Sequence, residues 1–470
     1  MPKDLRSFLQ DLIAVRPGDV KRVSAPVDPR FGATAVAERF ARANQYPALY
    51  FEQVGASRIP LVLNLTATYD RLAVALETTL QELVPAFGDR MTRPIASREV
   101  PREEAPVKAQ VWRGGDVDLG MLPLLTHNEL DGGPYITSGI GIMRDPESGR
   151  VNAGIYRHQV HSRNELGVWF IDTHHGAYIH RRYEERGQPA PIVIAIGHHP
   201  AVVMGAVCRI PGMGGEFDAA GALLDESLEV TRAETCDLPV PARAEIVIEG
   251  EVIPHGRRDE GPFGEWPGHY TERGPKPVIR VTAITTRQRP IYYDIFSANR
   301  EHLVLGSLPR MGSIYRNVKQ VVPGVRAVNV PAHSRMHCYI AIRKERDAEV
   351  KKAAFAALNT EPENLKMIVV VDEDINVFND GDVMWAIGTR FDAARDLLVI
   401  PRWSGPGGLL PVGWDYHQDG SRTARMVTAT VIDATKPLPP AAYPPRAAVP
   451  AAAVDAATTA GITDLTRLPE

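Results

Sequence analysis

The sequence predicts a mixed α/β and β protein, with an α/β unit at each end of a strand-rich centre. Three observations carry this. The chain has 470 residues, about three times a usual domain length of roughly 150, which calls for two or three domains. Helical spacing marks its ends, whereas residues 111 to 290 hold short β-branched runs separated by Gly and Pro turns. Hydrophobic residues make up 44% and charged residues 23%, enough apolar material for sizeable cores.

At the start, Asp4 caps an expected helix whose Leu5, Phe8, Leu9, Leu12 and Ile13 fall at i, i+3, i+4, i+7 and i+8. A strand is expected over Ile59–Leu65, and after Tyr69 a second helix carrying Leu72, Leu76, Leu80 and Leu83. This α/β domain spans 1–110 and ends in a Pro- and charge-rich linker, Arg93–Val107. In the centre, Tyr135–Met143 and Gly154–Val160 flank the turn at 145–149. Pro191–Ile196, Ala201–Val207, Ala244–Ile253 and Pro277–Thr285 also read as strands. So many short strands favour a barrel or sandwich over 111–320. Then Tyr339–Ile342, a helix over Ala348–Leu358 and the strand Met367–Val371 form a β-α-β pattern within 321–435, followed by an extended Ala/Pro-rich tail, 436–470.

Several function classes drop out. Lys and Arg total 53 against 57 Asp and Glu, a net charge of −4, which removes the electrostatic case for a nucleic-acid binder. Cys208, Cys236 and Cys338 suit neither a disulfide framework nor a CxxC metal site, so a reducing, cytoplasmic setting is expected. The charged N-terminus lacks the apolar core of a signal peptide, and Gly197–Pro200 interrupts the most apolar stretch, so no membrane span is expected. There is no GxxxxGK[ST], HExxH or GxSxG motif, and Gly405–Gly408 reads as a turn.

The densest polar segment runs from Asp259 to Tyr270. It places Glu260 and Glu265 in one loop with three glycines and two prolines, beside Phe263 and Trp266. Two carboxylates sharing a desolvated pocket cannot both ionise cheaply, so one can keep a proton and act as a general acid. The alternative is a solvated turn. In Asn152–Arg157, strand alternation puts Asn152, Gly154 and Tyr156 on one face and Arg157 on the other. His174-His175 and Glu216, with an Asn carbonyl, make a mixed N/O set suited to Mn²⁺ or Mg²⁺ rather than zinc. Any single histidine of the 14 is more often structural than a ligand.

Taken in order, Asn152–Arg157, Gly215–Gly221, Glu260–Glu265 with Gly268–Tyr270, and Asp372–Asn376 with Asp382–Ala386 and Thr389–Asp392 resemble the UbiD-type carboxy-lyases. These are reversible decarboxylases that use prenylated FMN. The resemblance implies an N-terminal α/β domain, a central split β-barrel that binds the flavin, and a C-terminal α/β domain. It implies that Asn152, His175 (or its neighbour His174) and Glu216 hold Mn²⁺, or Mg²⁺, with K⁺ nearby, bridging to the flavin phosphate. Ile155, Tyr156 and Arg157, and Trp169, Phe170 and Ile171, match cofactor-binding stretches. Arg157, Glu260 and Glu265 match the catalytic Glu–Arg–Glu network, with Arg157 orienting and Glu265 donating the proton.

Trp266 is expected to line an aromatic or heteroaromatic acid, and Asn299, Arg300 and His302 fall where members differ in substrate contacts. The alternative is that Arg300 and Glu301 are exposed and His302 packs. A flavin prenyltransferase as cofactor supplier and a homodimer or higher homo-oligomer complete the expectation. Two other readings stand beside it: a catalytically silent flavin- or metal-binding scaffold or subunit, and a conventional flavin oxidoreductase. The first would not need both glutamates and Arg157, and the second needs a nicotinamide site that the sequence does not display.

Overall fold

The structure, a computed structural model, describes residues 2–208, 210, 215–403, 410–419, 421–439, 441–447, 449–450 and 452–453. Gly405–Gly408 therefore lies outside the described residues. The first helix, Leu5–Val15, begins where Asp4 accepts the backbone N–H groups of Arg6 and Ser7, while the Ser7 hydroxyl returns a bond to the Asp4 backbone. It buries Leu5, Phe8, Leu9 and Leu12 but leaves Ile13 in solvent at 54% exposure, so the apolar stripe is narrower than its spacing suggests. The leucine series after Tyr69 forms two helices, Tyr69–Ala75 and Leu83–Arg90. Glu77, with φ of 51°, breaks the run in the left-handed region.

The strands Val20–Val23, Ala48–Phe51, Leu61–Leu63 and Tyr292–Tyr293 form one small mixed sheet. The last of these strands comes from far along the chain, so the first and central regions are stitched together. Residues 93–107 are likewise not a free linker, because Arg98–Glu99 pairs with Glu229–Arg232.

The centre is a nine-stranded sheet. One end of its principal path is Tyr135–Ile136, paired with His158–Ser162, and the other is Val151–Ile155. Only Tyr156 and Arg157 separate Ile155 from His158, a step of about 10 Å at full extension. In a flat sheet the two strands would lie about 29 Å apart. The sheet therefore curls strongly, yet among the described residues no strand pair closes it into a barrel.

Ala190–Ile196, Ile246–Glu260 and Gly274–Thr286 are strands as expected, the last two longer than the β-branched runs indicate. Ala201–Val207 is a correction: Pro200–Ala206 is a helix, with Pro200 in its first turn and His199 as N-cap. It is buried all round, so its uniform apolar character has no helical period to reveal it.

A 22-residue helix, Arg300–Val321, leads into a five-stranded sheet containing His337–Ile342 and Met367–Asp372, joined by the helix Ala348–Thr360. Arg390 pairs with Asp372 and Asp374 at 2.8 Å each, giving the Asp372–Asp392 signature a structural role. The described part of the tail is anchored: the Tyr443 hydroxyl donates to the Thr389 carbonyl, and Arg446 lies 4.0 Å from the centroid of Trp385. No helix among the described residues is long and apolar enough to cross a membrane.

Candidate active site

The two-residue crossing between the sheet's ends carries the centre of the site. Tyr156 and Asn152 lie on one side, their polar tips 3.4 Å apart, as strand alternation requires. Arg157 faces the tip of the hairpin formed by Ile246–Glu260 and Gly274–Thr286. Glu260 ends the first of these strands and is fully buried. The loop beyond it folds back as the short pair Phe263–Gly264 and Tyr270–Thr271. Gly261 turns the chain at φ of +93°, a conformation costly for any residue with a Cβ.

Arg157 Nε and Nη2 donate to the two oxygens of Glu260 at 2.9 and 2.8 Å. Its Nη1 donates to Glu265 Oε1 at 3.0 Å, and Nη2 also reaches the Thr271 hydroxyl at 3.0 Å. The rings of Trp169 and Phe263 lie 4.0 and 4.7 Å from the guanidinium carbon. The guanidinium is thus held by charge-assisted bonds and aromatic contacts in a largely dry setting. Arg157 thus lies between the two carboxylates and bonds to both. Glu260 also accepts the Tyr135 hydroxyl at 3.0 Å. Burial and the charge of Glu260 hold that phenol well above its ordinary range, so it stays a donor. Glu265 is the more accessible acid, its side chain 13% exposed.

Asn152 Nδ2 donates to Glu216 Oε1 at 2.9 Å, and the Ala153 N–H lies 3.4 Å from Oε2. Burial holds the Glu216 carboxyl above its ordinary range, against the pull of these bonds and of His175. A buried carboxylate beside an amide and an imidazole fits a hard divalent cation. Among the described residues, no three His, Cys, Asp or Glu side chains cluster as a ready metal cage. His174 is the N-cap of the helix His175–Glu185 and is exposed, while half-buried His175 begins that helix. Phe170 packs edge-on to Tyr156 with ring centroids 5.0 Å apart, and Ile171 accepts the His174 N–H at 2.8 Å. These contacts join the Asn152–Arg157 and Trp169–His175 stretches around one space.

The four substrate-contact candidates diverge. Trp266 is buried next to Glu265, and its backbone N–H donates to Glu265 Oε2 at 3.2 Å. His302 is pushed well below its ordinary range by burial and by the charges of Arg335 and Arg157, and its carbonyl accepts a bond from Arg335 Nη2. Asn299 spends its side chain capping the long helix. Arg300 donates to the Ala67 carbonyl at 3.1 Å and stacks 4.5 Å from Tyr46, so its contacts tie it to the first region. Sequence reasoning missed Tyr135, Thr271 and Arg335; Thr271 had a signal, since it directly follows the Gly268–Tyr270 motif.

Residues 15–91, 98–300 and 303–409 match, respectively, the N-terminal, Rift-related and C-terminal domains of the 3-octaprenyl-4-hydroxybenzoate carboxy-lyase (UbiD) family. Among solved structures, the chain is 36% identical to the UbiD-class enzyme HmfF from Pelotomaculum thermopropionicum, solved with FMN, over 95% of this chain and 97% of that one (TM-score 0.87). It is 27% identical to the 3,4-dihydroxybenzoic acid decarboxylase AroY of Klebsiella pneumoniae over 95% and 98% (TM-score 0.86). Against the open form of vanillic acid decarboxylase from Sedimentibacter hydroxybenzoicus, identity is 30% over 95% of each chain (TM-score 0.83).

Proposed function

This chain belongs to the UbiD family and is a carboxy-lyase, and from that premise we propose that it decarboxylates, reversibly and without net oxidation, an aromatic or heteroaromatic acid, α,β-unsaturated acids included, using prenylated FMN. One observation carries the proposal at the level of residues: Arg157 is bonded at once to Glu260 and Glu265, between two aromatic rings. Loss of CO₂ from an sp² carbon leaves an electron pair that no side chain here can accept, and prenylated FMN supplies the electron sink when bound. Arg157 orients cofactor or substrate carboxylate with a guanidinium fixed by Glu260. Glu265 gives its proton to the carbon that CO₂ has left, and Glu260 sets the charge balance around both. Ile155, Tyr156 and the Trp169–Ile171 stretch would wall the flavin, with Trp266 and His302 nearest the substrate.

Asn152, Glu216 and His175 would hold Mn²⁺, or Mg²⁺, with K⁺ beside it, balancing the flavin phosphate. Buried Glu216 supports the metal, and relatives solved with FMN and with prenylated FMN support the flavin. The reading carries with it three domains, the central one a split β-barrel, which three successive family matches and the curled sheet support. It also carries a prenyltransferase as cofactor supplier, a homo-oligomer, with which an evolved dimeric form of a relative is consistent, and a reducing compartment suited to three free cysteines. The test is a screen of aromatic acids for CO₂ release by protein made with and without a co-expressed flavin prenyltransferase. Turnover only with the prenyltransferase is expected; equal turnover with plain FMN, or none with either, overturns the proposal.

A further inference from the structure

The helix Arg300–Val321 carries a notch at Gly306, and the guanidinium of Arg335 fills it. A Cβ at Gly306 would stand 1.7 Å from Arg335 Nη2 and 2.3 Å from its Cζ, so no residue other than glycine admits this arrangement. In the notch, Arg335 Nε donates to the Leu303 carbonyl at 3.2 Å and Nη2 donates to the His302 carbonyl. Both partners are neutral backbone groups, so these bonds occupy two of the guanidinium donors without cancelling the charge. The residue is 7% exposed, and its Cζ lies 5.5 Å from the ring centroid of Trp266, the residue after Glu265.

Charged and titratable groups from several elements act on Arg335. They are Arg310 on the same helix, Glu265 from the hairpin tip, Tyr69 from the first region and Glu361 beyond the helix Ala348–Thr360. His302 feels the charges of both Arg335 and Arg157. Burial, with the like charge of Arg310, pushes the guanidinium down to about 9, and Glu265 opposes that push. A buried cation is costly unless an anion shares its surroundings, and Glu265 is the anion nearest the reaction in that set.

We infer that Arg335 is a positioning residue for Glu265: seated in the Gly306 notch and packed by Trp266, it adds to Arg157 a second cation that favours release of the Glu265 proton to carbon. The inference rests on the proposed role of Glu265 as proton donor. It also gives Gly306 a purpose that helix propensity alone would oppose, since glycine in a helix interior costs about 1 kcal/mol relative to alanine.

The test compares pH–rate profiles of the loaded enzyme for wild type, Arg335→Met, Arg335→Lys and Gly306→Ala, with thermal unfolding to establish that each is folded. Removing a positive charge that acts on an acid makes it hold its proton to higher pH, by roughly one unit. Arg335→Met is therefore expected to move the alkaline limb of kcat up by about one pH unit, with a lower plateau and KM within twofold. Arg335→Lys restores the limb, since it keeps the charge. Gly306→Ala moves the limb in the same direction by displacing the guanidinium.

A limb that stays fixed in Arg335→Met while kcat falls would make the residue structural and overturn the inference. So would a rise in KM alone, which would mean that Arg335 binds substrate instead. Glu265→Gln is run alongside. If that variant turns over at the wild-type rate, the proton-donor role itself fails; if it is inactive and the Arg335 limb is fixed, only the present inference fails.

Discussion

Replacing Arg157 by alanine removes the one cation bonded to Glu260 among the described residues, and the structure sets how much this costs. The lost guanidinium makes two bonds to a fully buried carboxylate, a third to Glu265 and a fourth to Thr271. Among the described residues, Glu260 then keeps only the Tyr135 hydroxyl as a side-chain partner for its carboxylate. Stranding a buried carboxylate in this way costs about 3–5 kcal/mol. For a unit the size of the 98–300 family match, that is a fall in Tm of roughly 10 °C.

The same reasoning makes the loss partly reversible. Arg157→Ala combined with Glu260→Gln removes both charges, so the double variant should regain about 2–3 kcal/mol over the sum of the single changes. Urea unfolding of the four cofactor-free proteins at pH 7 measures the cycle, and CO₂ release from the loaded forms should be abolished wherever Arg157 is absent. Additive single costs would show that the pair is not coupled, and wild-type turnover in Arg157→Ala would remove the arginine from the mechanism.

Two further outcomes follow from buried groups. Glu216→Gln takes away the formal charge of the proposed metal site, so metal and flavin retention should fall together; full cofactor occupancy by mass spectrometry would remove Glu216 from that role. Burial pushes His158, His198 and His199 down to about 3 in the folded chain. The unfolded chain binds protons at these positions below about pH 6.5, so their stability contribution is complete above that pH and lost as pH falls towards 3. By pH 5 the loss should reach about 2 kcal/mol for each histidine. Urea midpoints measured from pH 7.5 to 5 check this, and a flat profile would contradict it.

Local signals in the sequence reach the elements whose packing is one-sided. The helix at Leu5–Val15 is legible because one apolar stripe meets the core and Asp4 caps its start. Pro200–Ala206 is not, since burial on every side erases the period. The leucines after Tyr69 keep helical spacing across a break made by one left-handed residue, Glu77, which spacing cannot show. In the site, Glu260, Glu265 and Arg157 stand out by motif, but that Arg157 lies between the two carboxylates depends on a sheet curled enough to bring its ends together. Arg335 lies 70 positions beyond Glu265 in an unremarked loop. Its link to the site runs through a missing side chain at Gly306, which has no signature in one sequence.

The central claim, that Glu265 carries the proton to carbon, is tested most directly by hydrogen–deuterium exchange into the decarboxylated product in D₂O, followed by NMR. Exchange runs the protonation step backwards and needs no CO₂. Glu265→Gln keeps the shape and a hydrogen-bonding group but has no proton to give. It should therefore retain cofactor while its exchange rate falls by roughly 10²–10⁴, the range for loss of a general acid. Exchange at the wild-type rate in Glu265→Gln would mean that the proton comes from another group, and the account of this loop would be contradicted.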